Sequence, residues 1–327
     1  MTQSRQGIGG DRLSSETGMF GKYTLVDKIA EGGIGEIYKV IDTENRTTLA
    51  LKVLRRDKAG SGIAETQFQA EIESCSRVTH PNMVRVIESG KIDGKLFFVM
   101  PFFPGETLRK TLSTVGRFNS ERASLIMQRV SLALGHIHRA GIIHCDIKPS
   151  NIMLDDSDEP VIIDFGMSIR PNAVDPSHIK TASHGYIVGT PEYMAPEQIT
   201  GESKNYTPAI DIYAVGATLF ELLAGRPPFE PSSSGNAMAV VQAVLTQPAP
   251  SVKSLNAGVP DDIDALIRRC LEKTPSKRFQ TADELAVKLN DCRRGRALDK
   301  LPKKTIARRL SGFFFKEIFL PKKPKDE

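Results

Sequence analysis

Between Tyr23 and Met100, apolar residues come in short alternating runs separated by glycines and polar clusters. Thr24–Ala30 and Glu36–Asp42 predict two strands joined by a Gly32-Gly33-Ile34-Gly35 turn, and Thr48–Leu54 predicts a third. Glu65–Val78 changes period. Phe68, Ile72, Cys75 and Val78 fall at helical spacing, and His80-Pro81-Asn82 stops the run. Val84–Glu88 and Leu96–Met100 predict two more strands around an Asp93-Gly94 turn.

After Pro104 the pattern becomes helical. Ser120–Arg139 is amphipathic, with Ser120 in the N-cap place. Asp211–Leu223 is apolar almost throughout, the pattern of a buried helix. Asp262–Glu272 and Ala282–Asp291 are amphipathic again. The expected architecture is α+β: a small β-rich lobe with one helix, then a larger, mainly α-helical lobe. No internal repeat or low-complexity tract interrupts it.

Composition narrows the class. The 327 residues are 40% hydrophobic and 25% charged, ordinary globular values. The net charge of +5 is unevenly spread. Residues 293–327 hold 12 basic and 4 acidic residues, so the remainder carries 32 and 35, a net of −3. A mildly acidic body with a basic tail does not suit a nucleic-acid-coating fold, and no nucleic-acid partner is expected. Cys75, Cys145, Cys270 and Cys292 form no C-x-x-C pair, which argues against zinc ribbons and redox motifs. A reducing compartment, the cytoplasm, follows. Residues 1–21 read as a flexible polar leader without a signal-peptide core, and Thr2 excludes N-myristoylation. No run of 18 uncharged apolar residues predicts a membrane span. His80, His136, His138, His178 and His184 have no metal-ligand spacing.

Three clusters carry candidate chemistry. Ala30-Glu31-Gly32-Gly33-Ile34-Gly35-Glu36-Ile37 is one glycine short of G-x-G-x-x-G-x-V. Glycines at a hairpin tip let backbone N–H groups reach phosphate oxygens, although an ordinary glycine-rich hairpin reads the same way. Lys52 lies inside the apolar run Ala50-Leu51-Lys52-Val53. Burying an unpaired ammonium costs several kcal/mol, roughly, so Lys52 calls for a carboxylate, and Glu71 is the best placed. A snorkelling edge-strand lysine is the alternative. Third, His144-Cys145-Asp146-Ile147-Lys148-Pro149-Ser150-Asn151 and Ile163-Asp164-Phe165-Gly166 put polar residues between short apolar strands. Asp146 suits acceptance of a hydroxyl proton, and Lys148 suits charge on a transferring phosphoryl group. Asn151 and Asp164 offer hard oxygens for Mg²⁺. A Cys145–His144 hydrolase pair is disfavoured, because neighbours on one strand point opposite ways.

With these pieces in this order, residues 23–291 resemble a eukaryotic-like serine/threonine protein kinase domain of the bacterial type. Also matching are Gly189-Thr190-Pro191-Glu192-Tyr193-Met194-Ala195-Pro196-Glu197 and Asp211-Ile212-Tyr213-Ala214-Val215-Gly216. The resemblance implies the bilobal kinase fold, with residues 22–103 as N-lobe, 104–292 as C-lobe and 293–327 as an added tail. It implies ATP and Mg²⁺ as cofactors, protein Ser/Thr hydroxyls as acceptors, and autophosphorylation.

Position by position, the resemblance has Lys52 holding the α/β-phosphates and pairing with Glu71. Asp146 is the catalytic base, Lys148 meets the γ-phosphate, and Asn151 and Asp164 hold the metal. The loop residues Ala30, Gly32, Gly33 and Gly35 cover the phosphates. Adenine lies between Ile37 and Ala50 above and Met153 below. Met100 guards the back of the pocket, Pro101 supplies a hinge C=O and Phe103 a hinge N–H. Glu197 pairs with Arg278, and Asp211 holds the catalytic loop from below. A nucleotide-binding pseudokinase scaffold is the alternative, and it is disfavoured because Lys52, Asp146, Asn151 and Asp164 are all present. A small-molecule kinase is disfavoured by the intact 189–197 stretch.

Departures carry their own expectations. Ala30 replaces the first loop glycine, which asks only that its φ stay negative. Cys145 replaces an arginine that normally receives an activation-segment phosphate. Phosphorylation at Thr181 or Ser183 is therefore expected to matter less, unless Arg170 or Lys180 replaces that receptor. Cys75, four residues after Glu71, reads as a packing residue. The tail clusters Lys303-Lys304, Arg308-Arg309 and Lys322-Lys323 flank Gly312–Leu320, which is aromatic-rich. That chemistry suits peripheral contact of residues 300–325 with an anionic membrane. Docking on the kinase's own groove, a partner protein and a truncation scar remain alternatives. Arg308-Arg309-Leu310-Ser311 resembles a basophilic phosphorylation site but equally a solvated basic turn.

Overall fold

The computed structural model describes residues 18–58, 60–170, 189–202, 206–230 and 237–295. They form two compact units, one of residues up to 68 together with 86–102, the other of 69–85 together with residues from 103 onward.

The first unit is a six-stranded antiparallel sheet. Its strands are β1 Met19–Phe20, β2 Tyr23–Glu31, β3 Gly35–Asp42, β4 Thr48–Leu54, β5 Glu88–Ile92 and β6 Lys95–Pro101, in the order β1-β2-β3-β4-β6-β5. Strand alternation sorts its residues. Tyr23, Val40, Leu49, Leu51, Val53, Phe97 and Val99 cluster as one core. The register Ala30↔Ile37, Ile37↔Lys52, Lys39↔Ala50 and Ala50↔Met100 places Ala30, Ile37, Ala50, Lys52 and Met100 together on the other face. Asp93 and Gly94 both have positive φ, the conformation a tight two-residue hairpin needs.

Helix α1, Gly62–Ser76, begins in this unit and ends in the second. The strand expected at Val84–Glu88 is displaced to Glu88–Ile92. Asn82–Val84 bonds elsewhere, since Val84 donates to Ile162 O at 2.8 Å and Ile162 donates to Asn82 O at 3.0 Å. The true strand is polar because it lies at the sheet edge.

The second unit contains β7 Glu106–Thr107, α2 Leu108–Val115, α3 Ser120–Arg139, β8 Ile152–Leu154 and β9 Pro160–Ile162, then α4 Pro196–Thr200, α5 Ala209–Ala224, α6 Ala237–Thr246, α7 Asp261–Cys270 and α8 Ala282–Arg293. The cap of α3 is Asn119 rather than Ser120, its side chain accepting the Arg122 N–H at 2.8 Å. Every residue of α5 is buried, as its sequence predicts. Each fully buried Leu, Ile, Val or Phe along it contributes about 1.5–3 kcal/mol. A Cβ on Gly216 would fall 2.5 Å from Cys270 Cβ, so this glycine lets α5 and α7 approach.

Beside α5, Glu197 of α4 and Arg278 form the expected buried pair, with Nη1 to Oε1 at 2.7 Å and Nη2 to Oε2 at 2.8 Å. Arg278 also donates to Ala209 O at 2.8 Å, Glu272 O at 2.7 Å and Lys273 O at 3.1 Å. All five guanidinium N–H groups are thereby used. Replacing Arg278 by Met leaves a carboxylate and three carbonyls buried without that donor. The expected cost is about 3–5 kcal/mol in urea unfolding; a loss under about 1 kcal/mol, the range of exposed pairs, would contradict it.

Candidate active site

The segment 143–147 is not a strand. It is an irregular turn pinned from two sides. Asp211, in the first turn of α5, accepts the His144 N–H at 2.9 Å on Oδ2 and the Cys145 N–H at 2.8 Å on Oδ1. His138 of α3 meets the same Oδ2 through Nε2 at 2.7 Å. On the far side, Gln198 Nε2 donates to Cys145 O at 2.9 Å. Held at both peptide groups, Cys145 keeps φ at 65°, a left-handed value that strains a side-chain-bearing residue. Burial pushes its thiol well above the usual range, so it stays protonated. A buried neutral thiol is no activated nucleophile, which sets the hydrolase alternative aside.

The turn presents Asp146. Lys148 Nζ lies 2.9 and 2.8 Å from its two carboxylate oxygens. Asn151 Nδ2 donates to Asp146 O at 2.8 Å and to Oδ2 at 2.7 Å. Lys148 Nζ also reaches Thr190 Oγ1 at 3.2 Å. His144, fully buried, accepts the Asp146 N–H through Nδ1 at 3.3 Å and packs its ring 4.9 Å from that of Phe165. Burial holds the imidazole below its ordinary pKa and therefore neutral. Ile163 donates to Asn151 O at 3.0 Å, which sets Asp164 beside Asn151. Asp164 Oδ1 accepts the Gly166 N–H at 2.9 Å. A Cβ on Gly166 would lie 3.1 Å from that oxygen and 3.7 Å from Glu71 Oε2, so Glu71 stands at the same corner. Met153 of β8 is half-buried.

The donor set fits Mg²⁺. With its amide nitrogen turned to Asp146, Asn151 directs its carbonyl oxygen away, and Asp164 adds a carboxylate. One or two protein oxygens beside water and phosphate is the number Mg²⁺ uses. No group of three His, Cys, Asp or Glu side chains with metal-binding geometry occurs among the described residues.

In the first unit, Lys52 is buried, with Nζ 5.8 Å from the Phe98 ring centroid. A Cβ on Gly35 would fall 3.0 Å from Lys52 Cε, so the glycine makes room for the lysine stem. Gly32 closes the hairpin by donating to Gly35 O at 2.8 Å, and Gly33 faces open space. Ala30 has no positive φ, as its substitution for glycine requires. Met100 and Pro101 end β6, while Phe103 belongs to the second unit.

His138, Gln198, Arg109 and Glu221 belong to none of the sequence motifs quoted above, and Tyr193, which does, carried no role of its own. Arg170 bonds Glu73 at 2.5 Å, and Ser168 Oγ bonds Ser74 Oγ at 2.8 Å, so Arg170 is already paired. Ser177, His178, Lys180, Thr181, Ser183 and His184, like residues 296–327, lie outside the described residues.

Asp211 has a pH signature. Burial alone would raise its carboxyl pKa, but His138, His144 and the backbone donor outweigh burial and hold it below the ordinary value. A group with a depressed folded pKa adds stability above the unfolded carboxylate value, about 3.9, and loses it as pH falls through the folded value. Acid titration of unfolding free energy should therefore be flatter below about pH 4 for Asp211→Asn than for the wild type. Parallel curves would contradict the assignment.

The geometry has named counterparts. The protein kinase domain family matches residues 23–288. Serine/threonine-protein kinase PknD of Mycobacterium tuberculosis (strain ATCC 25618 / H37Rv) is 34% identical over 282 residues, covering 86% of this chain and 41% of that protein. Serine/threonine-protein kinase pkn3 of Myxococcus xanthus is 32% identical over 290 residues, covering 87% and 52%. Serine/threonine-protein kinase PrkC of Bacillus subtilis (strain 168) is 32% identical over 265 residues, covering 81% and 39%. The chain thus spans about half or less of the length of these relatives. The pinned turn, its Asp146–Lys148–Asn151 cluster and the family match lead to one conclusion: this chain belongs to the protein kinase domain family.

Proposed function

We propose that this chain transfers the γ-phosphoryl group of ATP to Ser and Thr hydroxyls of proteins, its own included. The observation that carries this is Asp146, whose carboxylate is oriented by Lys148 and Asn151 next to Thr190. An acceptor hydroxyl at Asp146 hydrogen-bonds to the carboxylate. Its oxygen attacks the γ-phosphorus as the bond from phosphorus to the ADP oxygen breaks, and the hydroxyl proton passes to Asp146. Lys148 lies where it neutralises charge on the transferring group. Lys52 and the Gly32–Gly35 turn hold the remaining phosphates. For the adenine, the first unit offers Ile37, Ala50 and Met100 on one sheet face and the Pro101 carbonyl at the end of β6, and the second unit offers Met153 and the Phe103 N–H. Asn151 and Asp164 are the residues that would hold Mg²⁺, which would supply positive charge against the phosphates. Most of the rate comes from positioning and charge rather than covalent chemistry.

Thr190 beside Lys148 favours the Ser/Thr class over the Tyr class, in keeping with the names of the relatives. No helix among the described residues is long and apolar enough to cross a membrane. We place the catalyst in the cytoplasm, where ATP is available, with the basic tail as its contact to an anionic membrane surface.

The test is incubation with γ-labelled ATP, Mg²⁺ and myelin basic protein. The wild type should label itself and the acceptor on Ser and Thr. Asp146→Asn and Lys52→Met should each lose about a hundredfold or more. An inert wild type, label on Tyr alone, or undiminished transfer by Asp146→Asn would overturn the proposal.

A further inference from the structure

Three side chains far apart in sequence close a ring in the second unit. Glu221 of α5 is only 1% exposed. Its Oε1 accepts from Arg109 Nη1, and its Oε2 accepts from Arg109 Nη2 at 3.2 Å and from the Tyr193 hydroxyl. Arg109 Nη2 also donates to the Tyr193 oxygen. A carboxylate this deep is costly without a cation, and Arg109 is its ion-pair partner among the described residues. Arg109 comes from the first turn of α2, and its side chain is 45% exposed. It reaches inward from the surface to complete the group.

Tyr193 connects the ring to the chemistry. It ends a single turn, Pro191–Tyr193, and donates its N–H to Thr190 O at 3.1 Å. Thr190 Oγ1 is bonded to Lys148 Nζ at 3.2 Å, and Lys148 is bonded to Asp146. An acceptor hydroxyl that reaches Asp146 must pass beside Thr190. The ring therefore fixes the far end of segment 190–193, whose near end, Thr190, is bonded to Lys148 beside Asp146. None of its three members belongs to the residues assigned to the nucleotide.

We propose that Arg109 is a positioning residue for the protein acceptor, acting through Glu221 and Tyr193 to hold residues 190–193 in the conformation that presents a hydroxyl to Asp146. The inference rests on the phosphotransfer function proposed above. Arg109 touches neither acceptor oxygen nor phosphate, so its loss acts on acceptor binding and leaves ATP binding alone. A purely structural contribution would act differently. It would lower the fraction of active enzyme, and so the apparent kcat, with both KM values intact.

Steady-state kinetics of the full chain with myelin basic protein and labelled ATP separates these outcomes. Arg109→Ala should raise the KM for myelin basic protein about tenfold, one charge-assisted hydrogen bond's worth, with the KM for ATP within about twofold of wild type. Tyr193→Phe deletes a single oxygen and keeps the ring packed, so it carries the test if Arg109→Ala folds poorly; it should raise the same KM. The double variant should be no worse than the more severe single variant, because both break one ring. Arg109→Lys, which can still donate to both partners, should recover part of the loss. Unchanged acceptor KM in both single variants, a parallel rise in the KM for ATP, or multiplicative effects in the double variant would each overturn the assignment. A wild type that labels nothing would overturn the phosphotransfer function and this inference with it; a wild type that transfers phosphate while Arg109→Ala keeps its acceptor KM overturns only the role of Arg109.

Discussion

One buried carboxylate holds the turn that presents Asp146. Asp211 is fully buried at the start of the most apolar helix in the chain, where an unmatched charge costs several kcal/mol, roughly. It is matched by two consecutive backbone N–H groups and by His138. The arrangement works in both directions. The donors keep Asp211 ionised, and Asp211 keeps Cys145 in a left-handed conformation that costs of order 1–3 kcal/mol. Asp146 is the next residue, so its direction follows from that strain. Glu197 and Arg278 secure α4 in turn, and α4 carries Gln198, which holds the other side of the turn.

Cys145 changes the charge balance at this corner. Where relatives by resemblance carry an arginine, this chain has a thiol that burial keeps neutral. Position 145 itself thus supplies no cation to receive a phosphate. Arg170, the alternative receptor, bonds Glu73, which also bonds Arg77 at 2.7 Å. A phosphate seeking Arg170 must displace that carboxylate. The body of the chain carries a net charge of −3, and the surplus of positive charge lies in residues 293–327.

Much of this was legible in the sequence, for physical reasons. β4 and β6 are short apolar runs with consecutive buried residues, and β2 and β3 flank a glycine turn, so all four fall where the pattern put them. Edge strand β5 is polar and left no such mark. Short helices α2 and α6 bury only two or three residues each, too few to set a period. The cap of α3 was misplaced by one residue because Asn119 and Ser120 are both good caps. Asp146, Asn151, Asp164 and Lys52 stood out because polar groups interrupt apolar runs. His138, Gln198 and Arg109 did not, because their partners are 73, 53 and 112 residues away and only the fold supplies them.

The most direct test of this account is the single-turnover rate of phosphoryl transfer in Asp211→Asn, with ATP affinity measured in parallel. The amide can accept from one backbone N–H but turns its own NH₂ toward the other, so the turn relaxes while the helix beneath it stays packed. The expected rate is about a hundredfold lower, the cost of a small displacement of the reacting groups, with ATP affinity unchanged. A folded Asp211→Asn variant that transfers phosphate at the wild-type rate would contradict it.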